Sequence, residues 1–309
     1  MKIISREEVE ESLSYPGFIE VLAKAFASRH TMPPRQVLPL APGGHDAFAM
    51  LPVWDERVIA LKAFTYFPEN PPPHPSLHSK ILVFDRAHGV PLALVDGTAV
   101  TYWRTAGVSA LASRHLSRED SEAMLLLGTG RLAPYLIRAH ASVRPLKKVL
   151  LWGRNPDKAR HLAKSLQTEF SGLEIDAVPS IQAACEVADI VVAATGSPQV
   201  LVHGEWLRPG MHLDCLGNHH AHLRECDTMA VLRSRVYVDT KVNCFKEAGE
   251  LLVPVDEGVF GLHEVVGEMA ELCRAEVPGR QSREEITFFK SVGCALGDLA
   301  GALAVMDAC

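Results

Sequence analysis

The residues whose types and spacing best suit chemistry lie in one short stretch, Gly128-Thr-Gly130-Arg-Leu-Ala133. Five apolar residues, Ala123 to Leu127, precede it and predict a buried strand, and the residues that follow have helical spacing. A strand that ends on glycines and restarts as a helix directs free backbone N–H groups at one point, at the positive end of the helix dipole. Because that point suits a pyrophosphate, this turn predicts a dinucleotide site. The predicted contacts are Gly128, Thr129, Gly130, Arg131 and Leu132.

The residues after the second predicted strand, Lys148 to Trp152, indicate which dinucleotide fits. A protein that uses NAD usually has Asp or Glu there to bind the ribose 2′-hydroxyl. This chain has Gly153-Arg-Asn155 instead, with no acid. Arg154 is placed to pair with a 2′-phosphate and Asn155 to hydrogen-bond it, so we predict NADPH, with NADH as the alternative. The competing interpretation is that Arg154 is a solvated loop residue.

Three of the cationic residues before the glycine turn are candidates for binding an anion. Arg35 follows two prolines that hold the chain extended and so define its position. Lys62 interrupts an apolar strand, where a lysine is either an edge residue with a solvated ammonium or an anion ligand and proton donor in a cleft. Arg104 is predicted in the first turn of a helix that opens near Arg104-Thr105, either as a surface residue or as part of a carboxylate grip with the free N–H groups.

The elements that must position these residues follow two patterns. From residue 123 to about 240, strands and helices alternate, which predicts a parallel sheet with helices on both faces. Ligands bind at the carboxyl ends of such strands, so four loops should share one edge. These are Gly128–Ala133, Gly153–Asn155, Thr195–Pro198 and Gly217–His220.

Before residue 123 the predicted order is different. Ser5-Arg-Glu-Glu8 has capping-box spacing and starts a helical region that extends to about residue 30. Strand-like segments follow at 47–53, 58–66, 79–85 and 92–95, with a proline-rich loop from Pro68 to Pro75.

Length and composition limit the classes of protein. The 309 residues suffice for two domains, and a net charge of −6 without a basic run argues against a nucleic-acid or anionic-membrane partner. We expect no membrane span and no signal peptide. The seven cysteines lack CxxC spacing, which predicts reduced thiols in a cytoplasmic protein. No zinc-type spacing joins His219, His220 and His222 to the nearby cysteines, so no metal is expected.

With these motifs assembled, the chain resembles the ornithine cyclodeaminase/mu-crystallin family along nearly its whole length. The matching segments are Met32–Arg35, Leu61-Lys62, Gly89–Gly97, Arg104–Ala110, Gly128–Gly130 and Thr287–Gly293. The resemblance implies an α/β fold in which a Rossmann-type dinucleotide-binding domain, 119–285, is inserted in an α+β substrate-binding and dimerisation domain, 1–118 plus 286–309. It further implies a homodimer, and that Ile286–Ala308 leaves the dinucleotide domain with Ser291 at a helix start.

The resemblance also implies NAD(P)-dependent hydride transfer at the Cα of a small amino or imino acid. Family reactions are cyclodeamination of ornithine, dehydrogenation of alanine and reduction of ketimines. The matched positions imply that Arg35, Lys62 and Arg104 hold the substrate carboxylate. Ser79 and Ser291 are implied near the cofactor and, with Thr105, Thr195 and Gly217, complete the predicted cofactor contacts.

The chain departs from the family pattern at two positions. His219 stands where ornithine cyclodeaminases have a catalytic aspartate, which argues against a diamino-acid substrate because an imidazole cannot bind the distal amine. Arg131-Leu132 stands where the family has Ala-Gln. Lys62, whose pKa burial and two arginines should lower, and His219 remain two candidate proton donors. The alternative function is a catalytically idle NADPH-binding protein of the mu-crystallin type, against which the three cations argue.

Overall fold

A computed structural model describes residues 1–71 and 73–308. The chain forms two compact units, one of Met1–Thr105 with Cys294–Cys309 and one of Ala106–Gly293. We expected a second unit inserted into a discontinuous first one, with boundaries at 118/119 and 285/286. The boundaries between the compact units fall instead at 105/106 and 293/294. The first boundary falls inside a helix that continues across it, Gly97–Leu116.

The first unit contains a six-stranded sheet. Its strands in chain order are β1 (Lys2–Ile4), β2 (Gln36–Pro39), β3 (Ala47–Trp54), β4 (Val58–Tyr66), β5 (Leu77–Asp85) and β6 (Pro91–Asp96). The sheet order is β1-β6-β5-β4-β3-β2. Strand β1 pairs with β6 in parallel and the other pairs are antiparallel. Strand β4 is therefore interior, with β3 and β5 on its two sides.

Helices α1 (Arg6–Ser12), α2 (Tyr15–Ala27) and α11 (Ala295–Ala308) complete the first unit, with the start of α3 (Gly97–Leu116). The predicted capping box of α1 is present, and the helical region breaks before Pro16. Helix α11 packs on α2 and on the sheet. Its glycines permit close approach, since a Cβ on Gly301 would lie 2.6 Å from Val100 Cγ1.

Helix α3 begins earlier than predicted. Asp96 Oδ1 accepts a hydrogen bond from Ala99 N at 2.9 Å, so the side chain before Gly97 satisfies a free N–H of the first turn. Arg104 consequently lies in the helix interior, and the predicted grip that combines Arg104 with free N–H groups is wrong.

The second unit contains an eight-stranded parallel sheet of order β13-β12-β14-β11-β10-β7-β8-β9. Its strands are β7 (Ala123–Leu127), β8 (Lys148–Trp152), β9 (Glu174–Ala177), β10 (Ile190–Ala193), β11 (His212–Cys215), β12 (Arg235–Val238), β13 (Gly267–Glu268) and β14 (Thr287–Lys290). Strands β7 and β10 are apolar and, apart from the partly buried Ala123, buried throughout, as expected where helices cover both faces. The Rossmann-type α/β prediction is confirmed.

The helices of this unit alternate with its strands. They are α4 (Ala133–Ala141), α5 (Pro156–Gln167), α6 (Ile181–Cys185), α7 (Thr228–Leu232), α8 (Lys241–Glu247), α9 (Gly249–Asp256) and α10 (Met269–Cys273), with 3₁₀ turns at Gly204–Trp206 and Leu262–Glu264.

Strand β14 corrects the expected course of the C-terminal segment. Thr287–Lys290 pairs with β11 on one side and β12 on the other, inside the second sheet. Of this segment, only the residues from Cys294 onward belong to the first unit. Ser291 therefore precedes α11 instead of starting it. Thr287–Lys290 is buried throughout, and a central strand position satisfies its backbone on both sides.

Two further predictions concern membrane-spanning helices and the state of the cysteines. Within the described residues, none of the helices is long and apolar enough to cross a membrane. The six described cysteines are free thiols, whereas the seventh, Cys309, lies outside the described residues, as does Pro72 of the predicted proline-rich loop.

Candidate active site

Lys62 is the buried cation of the first unit, with 3% of its surface exposed. It lies opposite Leu51 and Ile81 on the neighbouring strands, so the edge-residue interpretation is wrong. Its ammonium donates to Thr101 Oγ1 at 2.6 Å and to Asp298 Oδ1 at 2.9 Å. Two of three N–H groups are thus used within the described chain, and one remains for a ligand.

Asp298 joins two of the predicted cations. Its Oδ1 accepts from Lys62 Nζ and, at 3.1 Å, from Arg104 Nε. Its Oδ2 is buried and has no hydrogen-bond partner among the described residues. A buried carboxylate oxygen without a donor is costly, so this atom marks a place where a ligand N–H or a water would bind.

The charges around Lys62 set its acidity. Burial lowers the pKa of Lys62 to about 8; Asp298 opposes this shift, and Arg104 and Arg35 add to it. The direction expected from burial and like charge is confirmed, and the opposing carboxylate was not foreseen. A lysine of this pKa is a proton donor suited to neutral pH.

The other predicted residues of the first unit lie on neighbouring elements. Arg35 precedes β2 and is close enough to Lys62 to affect its pKa. Ser79 is buried on β5, where its amide donates to Thr98 Oγ1 at 3.0 Å. Thr105 is half-buried on α3. Lys62 and Arg104 thus both pair with the Asp298 carboxylate, and Arg35 lies close enough to Lys62 to form one cationic cluster with them.

In the second unit the glycine turn has the geometry of a phosphate cradle. Gly128 has a φ of +122°, and a Cβ there would lie 2.5 Å from Ala194 O, so only glycine fits. At Gly130 a Cβ would meet nothing within 4 Å, which leaves the backbone accessible from that side. No side chain caps the N-terminus of α4, but Ala133 N already donates to Gly130 O at 3.1 Å and Pro134 has no N–H, so a pyrophosphate would depend on the amides of the glycine turn itself.

The remaining residues of the turn differ in exposure. Thr129 packs against Gly153, where a Cβ would lie 2.6 Å from Thr129 Cγ2. Arg131 is exposed and Leu132 is the residue before α4. These features fit a dinucleotide whose pyrophosphate lies over Gly130 and whose adenosine ribose lies near the end of β8.

Arg154 and Asn155 follow β8, as predicted. Arg154 is exposed, and Asn155 is the N-cap of α5, its side-chain oxygen accepting from Lys158 N at 3.0 Å. The cap uses the acceptor of Asn155 and leaves its NH₂ group as the donor toward a phosphate. A charge-assisted contact with a 2′-phosphate would therefore depend mainly on Arg154.

Thr195 and Gly217 lie at the carboxyl ends of β10 and β11. Both are bound to Glu225, a fully buried residue: its Oε1 accepts from Thr195 N and its Oε2 from Gly217 N, each at 2.7 Å. Burial raises the pKa of the Glu225 carboxyl, and the Lys290 ammonium opposes that shift. Ser291 is held similarly, since its hydroxyl donates to Asp239 Oδ2 at 2.9 Å.

His219 has a different setting from the cations of the first unit. It is exposed on the loop after β11 and stacks on His220, with ring centroids 4.9 Å apart. A metal-like grouping of described side chains comprises Cys215, Glu225 and Glu250, all buried. The ammonium of Lys290 already supplies a positive charge to this grouping, because its Nζ lies 2.8 Å from Glu250 Oε2.

Sequence reasoning missed three buried charged residues of these sites, Asp298, Lys290 and Glu225. Asp298 had a usable signal, since it is an acid in an otherwise apolar helix of small residues. Lys290 had a comparable one at the end of an apolar strand. Glu225 had none, because it lies in a polar loop whose contacts form only on folding.

The chain is similar to known proteins over its whole length. The model of the ornithine cyclodeaminase/mu-crystallin family matches residues 1–309. A Delta(1)-pyrroline-2-carboxylate reductase of Colwellia psychrerythraea is 49% identical over 312 residues, covering 99% of both chains. The Thermococcus litoralis enzyme of the same name, solved with NADH and L-proline, is 31% identical with a TM-score of 0.94, covering 100% of this chain and 97% of its own.

A second solved relative is an archaeal alanine dehydrogenase dimer with bound NAD. It is 25% identical with a TM-score of 0.92, covering 100% of this chain and 95% of its own. The full-length family match and the Colwellia relative together decide the classification. The chain belongs to the ornithine cyclodeaminase/mu-crystallin family.

Proposed function

We propose that the protein is an NAD(P)H-dependent reductase of a small cyclic imino acid, with Δ1-pyrroline-2-carboxylate as substrate and L-proline as product. The observation that carries this proposal is the buried cluster of Lys62, Asp298 and Arg104, which offers a carboxylate grip and a proton donor together. The reductase names of the Colwellia and Thermococcus relatives support the same substrate.

The cluster can hold each part of such a substrate. Arg104 and Arg35 would bind the carboxylate, because guanidinium groups pair with carboxylates through charge-assisted hydrogen bonds. The free N–H of Lys62 would then point at the imine nitrogen, and Asp298 Oδ2 would accept from the N–H that forms there. The rigid surroundings of both side chains favour one orientation of the ring.

The proton and electron balance is simple. When bound, NAD(P)H supplies a hydride for the imine carbon. Lys62 gives its proton to the imine nitrogen, which receives the electron pair of the C=N bond. With a pKa of about 8, Lys62 carries that proton at neutral pH and releases it readily.

A catalytically idle cofactor-binding protein is less well supported. Removing an ammonium and a carboxylate from water costs several kcal/mol per ion, of which their attraction returns only part. A protein that only bound a dinucleotide would gain nothing from such a pair in the unit that lacks the glycine turn. Ornithine as substrate is also disfavoured, because His219 replaces the family aspartate.

The decisive experiment is a substrate panel assayed with NADPH and with NADH. The purified protein would be tested on Δ1-pyrroline-2-carboxylate, its six-membered-ring homologue and pyruvate with ammonia by the fall in nicotinamide absorbance. Ornithine would be tested with the oxidised cofactor by release of ammonia, because its cyclodeamination consumes no net nicotinamide. We expect fastest oxidation with a cyclic imine and formation of the matching L-amino acid. Cofactor binding without oxidation on any substrate would instead support the idle protein.

A further inference from the structure

Glu225 connects the loops that follow two central strands of the second sheet. Its Oε1 accepts from both the backbone N and the Oγ1 of Thr195, at 2.7 Å each. Its Oε2 accepts from Gly217 N at 2.7 Å. Thr195 follows β10 and Gly217 follows β11, so one carboxylate holds two adjacent loops by three hydrogen bonds.

The two loops fit together without spare room. A Cβ on Gly217 would lie 2.0 Å from Thr195 O and 2.6 Å from Glu225 Oε1. Asn218 Nδ2 adds a bond to Ser197 O at 2.9 Å, and Lys290 Nζ donates to Asn218 O at 2.7 Å. The relative position of the loops after β10 and β11 therefore depends on the hydrogen bonds of Glu225, Asn218 and Lys290.

The chemistry requires a carboxylate at position 225. All three groups that hydrogen-bond to the Glu225 side chain are donors, and an ionised carboxylate accepts at both oxygens. A glutamine of the same shape would satisfy Thr195 with its oxygen but would turn an NH₂ group toward Gly217 N–H. Lys290 and Glu250 complete the buried cluster around Glu225, with Glu250 Oε1 accepting from Glu225 N at 3.0 Å.

The position of the loops in the sheet indicates which part of a dinucleotide they meet. A Rossmann-type sheet has two mononucleotide halves, and here the half of β7 and β8 contains the glycine turn and Arg154. The half of β10 and β11 therefore faces the nicotinamide nucleotide. We propose that Glu225 is a positioning residue that sets loops 194–198 and 216–220 for the nicotinamide half of NAD(P)H, an inference that rests on the cofactor of the proposed function.

The test compares Glu225→Gln with a matched control at the opposite end of the same sheet. Asp189 is also a largely buried carboxylate that accepts from two backbone amides, Glu122 N and Ala123 N at 2.9 and 3.1 Å. Asp189→Asn thus disturbs two backbone bonds at the amino ends of the strands, together with the ion pair of Asp189 Oδ1 with Arg118 at 2.6 Å. Binding of NAD(P)H and of ADP-ribose, or of its 2′-phosphate where NADPH is preferred, is measured for each variant.

We expect Glu225→Gln to weaken NAD(P)H binding roughly tenfold, the effect of losing a hydrogen bond to a charged group. Binding of the fragment that lacks nicotinamide should change less than about twofold, because the glycine turn is untouched. Amide hydrogen exchange should rise in segments 194–198 and 216–220 of Glu225→Gln and not of Asp189→Asn. The proposal would be overturned if Glu225→Gln lost the same affinity for NAD(P)H and for the fragment without nicotinamide, or lost affinity for neither. It would also be overturned if Asp189→Asn weakened NAD(P)H binding selectively in the same way.

Thr195→Val provides a second, milder variant, since it removes one donor and keeps the charge. It should give the same pattern with a smaller loss, and it carries the test if Glu225→Gln shows no cooperative unfolding. The two proposals fail separately. A protein that reduces no imine but shows the binding difference loses only the proposed function, and an active reductase without the difference loses only the role of Glu225.

Discussion

A buried lysine is useful to an enzyme only if its proton is held and can still be released. Lys62 meets both conditions, because Asp298 and Thr101 stabilise the ammonium while burial and two arginines weaken it. Asp298 also keeps one buried oxygen without a hydrogen-bond partner among residues 1–71 and 73–308. We therefore propose that the pair acts on a ligand and does not only stabilise the fold.

Replacement of Lys62 tests this assignment directly. Lys62→Met should lower kcat/KM on the best imine by roughly a hundredfold or more, the usual contribution of a positioned acid. Its affinity for NADPH should stay unchanged. Lys62→Arg is the matched control that keeps the charge but cannot release a proton, so it should retain a KM close to the parent and lose kcat. Near-parental turnover of Lys62→Met would show that the chemistry lies elsewhere.

The acidity of Lys62 predicts a pH dependence. The group donates only when protonated, so kcat/KM should be level below a pH of about 8 and fall tenfold per pH unit above it. Because the Asp298 carboxylate raises the pKa of Lys62, Asp298→Asn should move the fall to lower pH, by roughly one to three units. A profile that stays in place in Asp298→Asn would contradict this coupling.

At the scale of elements, we expect the turn from β8 to α5 to decide cofactor choice. Asn155 caps α5 with its oxygen, so Arg154 is the main residue available to a 2′-phosphate. NADPH should bind more tightly than NADH, and Arg154→Ala should remove most of the difference, about tenfold. The measurement is the Kd of both cofactors by fluorescence. Arg160→Ala, which alters an exposed arginine of α5, is the control. Equal parental affinities for the two cofactors would refute the assignment.

At the scale of the whole molecule, we propose a homodimer. Strand β2 is at an edge of the first sheet, and it exposes Val37 by 53% and Leu38 by 46%. An apolar edge strand pairs readily with another chain, and a second copy would cover it. Light scattering should give twice the chain mass of 33.7 kDa. Leu38→Lys should give monomers, whereas Val259→Lys, which alters an exposed residue of the second unit, should not.

Local patterns were sufficient for the elements whose signal is contiguous. The strand Ala123–Leu127, the glycine turn and the capping box of α1 form as predicted, because each depends on neighbouring residues. The cationic cluster was also foreseeable, since a lysine in an apolar strand needs a partner. The start of α3 was missed because Asp96-Gly-Thr reads equally well as a turn, and only the Asp96 cap makes it a helix.

Tertiary structure alone decided the contacts that organise both sites. Asp298 meets Lys62 across 236 residues, and Glu225 meets Thr195 across 30. Thr287–Lys290 becomes a central strand because β11 and β12 both need a partner, a requirement that exists only once the sheet forms. Such pairings leave no periodicity in the sequence, because buried charges are selected by what faces them in space and not by their neighbours along the chain.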